Sequence, residues 1–251
     1  MSTNYNRLMN NLEELKMTSI RDSLPRYMDM MADGSKTPVD ALYEMTEKEI
    51  KLRKERSIAS CIKTAGLPFN KTIEDYDFSF QPGMNRKEIE DYLTLRFIEN
   101  NDNILFVGSP GTGKTHLATA IGIEAARHSY SVYFISCMDL IQRLKKAQME
   151  GKLEKRLRLF TRYRLLIIDE IGYINMDEEA ANYFFQLISM RYEKKSTIIT
   201  TNKNLSRWAE IFNDPVIANA ILDRLLHHSH IVSITGPSYR MKDIMEQLEE
   251  K

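Results

Sequence analysis

The chain has 251 residues, 28% of them charged, and its Lys+Arg 35 balance its Asp+Glu 35 to a formal net charge of +0. That length holds one large domain or a medium domain plus a small one, and overall neutrality means that any nucleic-acid surface must be local. Two cysteines, Cys61 and Cys137, lie far apart. They exclude a zinc ribbon, argue against a disulfide scaffold and fit a reducing cytosol. No apolar run reaches transmembrane length, and the polar Met1–Arg21 segment does not read as a secretory signal. The expected location is the cytoplasm, with no membrane partner.

Residues 1–66 read as a helical N-terminal domain for partner or DNA contact. Leu8, Met9, Leu12, Leu15 and Met17 recur at helical spacing. Thr18-Ser19 is positioned to cap a second helix. Thr37-Pro38 reads as an N-cap followed by proline at the first helical position of a third, which runs toward Thr64. Its charge-dense Glu47–Arg56 stretch alternates in sign, so it is either a solvated face or a contact face through Arg53, Lys54 and Arg56. Ala65-Gly66-Leu67-Pro68 ends that helix. Residues 67–84 form an aromatic-rich linker, and 85–251 a nucleotide-binding domain that opens with an amphipathic helix over Arg86–Ile98.

In Asn103–His116, four apolar residues run into Gly108 and the pattern G-x-x-x-x-G-K-T, and a helical stretch follows. This is a phosphate-binding loop in its expected context between strand and helix. Its glycines let the backbone turn and aim N–H groups at phosphate, and the helix adds its positive end. The nucleotide-binding residues on this reading are Gly108, Ser109, Pro110, Gly111, Thr112, Gly113, Lys114, Thr115 and His116. Lys114 reaches the β- and γ-phosphates, and Thr115 ligates Mg²⁺.

A strand over Ser131–Ser136 and a helix over Met138–Gln148 come next. Ile141–Arg164 carries nine Lys/Arg against two Glu and breaks at Gly151 into two helices. Lys145, Lys146, Lys152, Lys155, Arg156 and Arg158 are candidates to neutralise DNA phosphates without reading sequence; the plain alternative is a solvated basic helix. Leu165–Glu170 is a strand with two carboxylates at its C-terminal end, where open α/β sheets bind ligands. Asp169 is expected in the Mg²⁺ shell, and Glu170 is placed to deprotonate the attacking water. Thr197–Asn202 is a further strand. If it lies between the first and third, Asn202 can hydrogen-bond that water or the γ-phosphate; alone, it would read as a turn residue. A helix over Pro215–His228 and a strand over His230–Thr235 close the alternation, which predicts a parallel sheet covered on both faces. The fifteen residues after Gly236 allow one short helix. His227, His228 and His230 do not read as a metal site: the first two are adjacent on a helix, pointing apart, with no carboxylate cluster joining them.

GSPGTGKTH, LLIIDE and TIITTN, in this order and spacing, resemble the AAA+ ATPases over about residues 67–240. Within that group, the helical N-terminal region, LPF before Asp77-Phe78, ILDRLLHHSHIV and SYR most resemble the IstB family of insertion-sequence ATP-binding proteins, close to the DnaC-type helicase loaders. The resemblance implies an α/β P-loop AAA+ fold: a three-layer αβα core with a parallel sheet, preceded by a small all-α domain and lacking a full C-terminal lid. Without that lid, Phe69 or its neighbours are expected to cover the base. It implies Arg224 as the arginine finger offered to a neighbouring subunit and Arg240 as a second sensor arginine. The basic segment matches the channel-lining insertion of initiator-type relatives. The implied function is a DNA-dependent ATPase, using ATP and Mg²⁺, that forms a homo-oligomeric ring or helix on double-stranded DNA, largely regardless of sequence, and activates a transposase. The alternatives are a loader of a replicative helicase and a P-loop kinase of small molecules, which would not use Glu170, Asn202 and Arg224 in these roles.

Overall fold

The computed structural model describes residues 3–241, and the chain divides into two compact units, Met1–Ser60 and Cys61–Lys251. In the first unit, α1 (Thr3–Glu14), α2 (Thr18–Ala32) and α3 (Pro38–Thr64, whose last residues belong to the second unit) bury Leu12, Leu24, Tyr27, Ala41 and Met45 against one another. Thr37 caps α3 as its sequence implies, its Oγ1 accepting from Asp40 N at 3.2 Å. Thr18 and Ser19 do not cap α2: Met17 occupies that position and no side chain there makes a cap bond. The free N–H groups turn instead to a distant carboxylate. Glu49, 2% exposed, accepts from Ser19 N at 2.8 Å and Ile20 N at 3.4 Å, and from Arg53 Nε at 3.0 Å. Burial pushes the Glu49 carboxyl up, but the bonds from Arg53, Ser19 and Ile20 outweigh it and hold it below the usual range.

In the second unit, the single helix expected over Arg86–Ile98 is two, α4 (Arg86–Tyr92) and α5 (Arg96–Asn100), parted by Leu95 at φ 64. The cause is packing. Tyr92, Leu95, Phe97 and Ile98 all enter one core. A continuous helix would set Phe97 about 140° around the axis from Tyr92.

The rest alternates in order: β1 (Asn103–Gly108), α6 (Lys114–Arg127), β2 (Val132–Ser136), α7 (Cys137–Met149), α8 (Leu153–Arg162), β3 (Leu165–Ile171), α9 (Glu178–Arg191), β4 (Ser196–Thr201), α10 (Ala209–Phe212), α11 (Pro215–Leu226) and β5 (Ser229–Ile234). The strands form one sheet in the order β2-β3-β4-β1-β5, and every described pairing is parallel. Successive strand residues divide between two cores. Ile104, Phe106, Ile167 and Ile198 pack with α4, α5 and α6; Leu105, Leu166, Ile168 and Ile199 pack with α7 to α11. That is the period of two expected of strands covered on both faces, and it makes the three-layer αβα core. Arg191, 1% exposed, fastens α8 to this core by donating to Phe160 O, Tyr163 O, Ser196 O and Thr197 Oγ1. Burial pushes its guanidinium pKa down to about 9. Residues 242–251, and with them most of the stretch expected to form a last short helix, lie outside the described residues.

Candidate functional site

The parallel sheet brings the C-terminal ends of β1, β3 and β4 side by side, and β4 lies between the other two. At the end of β1 the loop turns through Gly111 (φ 80) and Gly113 (φ 90) into α6. Both positions need glycine for a second reason: an added Cβ would stand 2.0 Å from Ser238 Oγ at Gly111 and 2.5 Å from the Tyr76 ring at Gly113. Lys114 Nζ folds back over the loop and donates to Gly108 O at 2.8 Å and Ser109 O at 2.7 Å. Burial lowers its ammonium pKa, against the pull of nearby Asp169. A cavity of about 300 Å³ lies beside the loop. Pro110 through His116 line it; Gly108 and Ser109 contribute through the carbonyls that hold Lys114.

Asp169, 5% exposed, meets the Thr115 hydroxyl at 3.0 and 3.1 Å and accepts from Thr200 Oγ1 at 2.5 Å. Burial raises its carboxyl pKa, and the hydroxyls of Thr200 and Thr115 and the charge of Lys114 work against that rise. The donors gathered here are a hydroxyl and a carboxylate, all oxygen, which is the set a hard divalent cation such as Mg²⁺ takes. Glu170 is exposed and lines the cavity, with a left-handed backbone at φ 64. Asn202 lines it as well, and its buried Oδ1 has no hydrogen-bond partner among the described residues.

The opposite wall comes from residues on both sides of the sheet in sequence. Tyr76 lays its ring on Gly113 and donates its hydroxyl to Thr112 O at 3.1 Å. Phe69 and Tyr76 stand edge-on to His116, whose Nε2 lies 2.8 Å from Thr72 O. From the other end of the chain, Tyr239 N donates to Gly111 O at 2.9 Å and Gln81 Nε2 donates to Pro237 O at 2.9 Å. The Gly236–Met241 segment therefore closes over the loop, and Tyr239 and Arg240 line the cavity. Phe69 lines it too. The sequence pattern alone assigns no site role to Tyr76, Thr200 or Tyr239. The aromatic run before the strand and the paired threonines ahead of Asn202 are the available signals.

Arg224 stands outside the lining of this cavity. Its Nη1 donates to Ala220 O at 2.9 Å, and its guanidinium lies 4.7 Å from the Phe185 ring centroid. Four of the six basic candidates share one groove. Lys152, Lys155, Arg156 and Arg158 line an open groove along α8, together with Arg162, Glu150 and Glu154. Lys145, on α7, is instead paired with Asp177, and exposed Lys146 is not part of that groove. Within the groove, Lys152 pairs with Glu150 at 3.2 Å and Arg158 with Glu154 at 2.5 Å.

The histidine geometry expected from sequence is also overturned. The rings of His227 and His228 lie 4.1 Å apart, and each has a nitrogen near Glu193 Oε1, at 3.5 and 3.6 Å. The turn after α11 makes them converge, and the carboxylate comes from the end of α9. These three side chains could together reach one metal ion. The His227 nitrogen that faces Glu193 also sits 2.6 Å from the Tyr192 hydroxyl, so it already has a partner.

Residues 10–247 match the family model of the IstB-like ATP binding proteins. The chain is 50% identical over 243 residues to the ATP-binding protein of insertion sequence IS232 from Bacillus thuringiensis subsp. berliner, a match covering 97% of each. It is 42% identical over 232 residues to that of IS21 from Pseudomonas aeruginosa, covering 92% of this chain and 88% of the relative. Among solved structures, AMPPCP-bound DnaA from Aquifex aeolicus matches with a TM-score of 0.58 at 23% identity, over 74% of this chain and 57% of that one. DnaI matches with a TM-score of 0.55 at 22% identity, over 67% and 90%. These structures share an α/β P-loop, AAA+-like fold with the present one. With a family match that spans nearly the whole sequence, and relatives that align from end to end, the chain belongs to the IstB-like ATP-binding protein family.

Proposed function

We propose that the protein is a DNA-dependent ATPase that assembles head to tail on double-stranded DNA with ATP bound, and that the assembled state recruits and activates a transposase. Lys114 binds the β- and γ-phosphates. Mg²⁺, held at Thr115 and Asp169, supplies positive charge to the phosphate oxygens when bound. The Glu170 carboxylate orients a water and accepts its proton while the water oxygen bonds to the γ-phosphorus and the β,γ-bridging P–O bond breaks, giving ADP and phosphate. Asn202 hydrogen-bonds the water or the γ-phosphate. Arg240 adds charge within the subunit, and Arg224 adds it from the neighbour. His116 fixes the loop against the aromatic wall, and the α8 groove takes DNA phosphates without reading bases.

One observation carries the hydrolytic part of this reading: Glu170 projects at the cavity from the residue after Asp169, the carboxylate that meets Thr115. The names of the relatives, which join ATP binding to insertion sequences, support the transposition part. The test is phosphate release with no small-molecule acceptor, measured with and without duplex DNA, alongside capture of the ATP-bound protein from its host. The reading requires DNA to raise both turnover and particle size, and a transposase to be captured. Turnover that ignores DNA would remove the first part; capture of a replicative helicase in place of a transposase would remove the second.

A further inference from the structure

β3 and β4 pair in step from Leu165↔Ser196 to Ile168↔Ile199, then slip and resume at Ile171↔Thr201. Three steps along β3 are thus matched by two along β4, so Asp169 and Glu170 together face Thr200. This is a β-bulge, a device that re-aims a side chain at the cost of a ladder bond. Two features mark this one. Glu170 adopts φ 64, a region that residues with a Cβ seldom enter. Its N–H finds a side chain in place of a strand partner, donating to Thr200 Oγ1 at 2.9 Å. The same hydroxyl donates to Asp169 Oδ1 at 2.5 Å. The one donor of this hydroxyl and one of its acceptor sites therefore serve the two adjacent carboxylate residues. Thr200 is 1% exposed and Asp169 5% exposed, and Thr200 borders the cavity beside Glu170.

We propose that Thr200 is a positioning residue for hydrolysis: its hydroxyl locks the bulge that aims the Glu170 carboxylate into the cavity while fixing the Asp169 carboxylate beside Thr115. The inference rests on Glu170 being the base. A threonine that served only to fill the strand interior would lose little on replacement by valine, which has the same shape. Replacing a threonine that holds the bulge removes two hydrogen bonds at once, leaving the Glu170 N–H unpaired and Asp169 Oδ1 with the Thr115 hydroxyl alone. Its left-handed backbone then has less to hold it, and strain kept at a site in this way is released when its tether goes.

The test uses the full chain at saturating DNA and protein concentration, comparing Thr200→Val and Thr200→Ser, each alone and in the Glu170→Gln background. Single-turnover phosphate release and the Kd of a non-hydrolysable ATP analogue are both read. Thr200→Val should lower kcat roughly 10- to 100-fold, the range for residues that orient a reacting group, and shift the analogue Kd less than threefold. Thr200→Ser, which keeps the hydroxyl, should stay within threefold of wild type. In the Glu170→Gln background Thr200→Val should add far less than it costs in wild type, because one of the two carboxylates it positions is already disabled. Should the valine variant not fold, Thr200→Ala takes its place with the same expectations. Wild-type turnover in the valine or alanine variant, equal losses in serine and valine, or a valine effect that multiplies in full onto Glu170→Gln would each overturn the proposal. If Glu170→Gln alone turns over at the wild-type rate, the assignment of the base fails, separately from the result at Thr200.

Discussion

The Thr115 hydroxyl lies 3.0 and 3.1 Å from the two carboxylate oxygens of Asp169, joining residues 54 positions apart behind the cavity wall that Thr115 lines. Lys114 and Glu170 flank that contact, and they separate binding from chemistry. Lys114→Ala removes the cation that faces the phosphates, so affinity for ATP should fall roughly 10- to 100-fold, the cost of removing a charge-assisted bond. Glu170→Gln keeps the shape and loses the base. It should bind ATP as wild type does and hydrolyse it on the order of 100- to 10,000-fold more slowly. Equilibrium binding of a fluorescent nucleotide and phosphate release check the pair; equal hydrolysis in wild type and Glu170→Gln would unseat the base.

The α8 groove makes the DNA prediction more specific than charge alone could. Replacing Lys152, Lys155, Arg156 and Arg158 with alanine should weaken duplex binding about equally for all sequences. It should also flatten the salt dependence by roughly 0.9 for each phosphate no longer neutralised. Lys145→Ala should change much less, because its ammonium is already held by Asp177. Binding isotherms across a salt series measure both slopes, and a larger effect at Lys145 than in the groove variant would move the DNA-binding surface to α7.

How much of this was legible follows from what each signal needs. The loop at Gly108–Thr115 and the Asp169-Glu170 pair were readable because phosphate chemistry demands fixed residue types at fixed spacing, and the strands were readable because burial on both faces leaves long apolar runs. The break at Leu95 was not, since the pattern over Arg86–Ile98 is amphipathic either way and only the shared core of Tyr92 and Phe97 decides it. The Thr200 bulge, the convergence of Glu193 on His227 and His228, and the split of Lys145 from the groove all depend on packing between segments distant in sequence. Composition and periodicity do not encode these.

Glu49 shows the same limit, and it gives a pH prediction. Its folded carboxyl titrates below the ordinary glutamate value of 4.5. The stability it contributes is therefore present above that value and is lost as pH falls through the folded one. Glu49→Gln should destabilise the N-terminal helices by on the order of 2 kcal/mol at neutral pH, since the charge is lost and one amide oxygen cannot accept from both α2 and Arg53, so an NH2 donor faces one of them. The gap between wild type and variant should narrow as pH drops below about 4.5. Hydrogen exchange at the Ser19 and Ile20 amides reads the effect locally; unchanged protection of those amides in the variant would contradict the capping role.

Arg224 carries the prediction about assembly. Its guanidinium lies over Phe185, fixed to its own helix through Ala220 O, and does not line the cavity that Arg240 lines. A site that takes its second arginine from outside needs another copy, and a head-to-tail contact of that kind makes rings or open helices. Turnover per subunit should then rise with protein concentration, and DNA should lower the concentration needed by gathering protomers along the groove. Arg224→Ala should bind ATP normally and lose hydrolysis by roughly 1,000-fold or more, the range for a missing arginine finger. Mixing the two variants Lys114→Ala and Arg224→Ala, at an ATP concentration too low to fill the Lys114→Ala site, decides whether the residue acts across the interface. Lys114→Ala supplies an intact Arg224, and Arg224→Ala supplies an intact phosphate site, so mixed interfaces should regain part of the wild-type rate. If each variant still assembles on DNA, as judged by light scattering, and the mixture stays inactive at every ratio, Arg224 does not act on a neighbour's nucleotide.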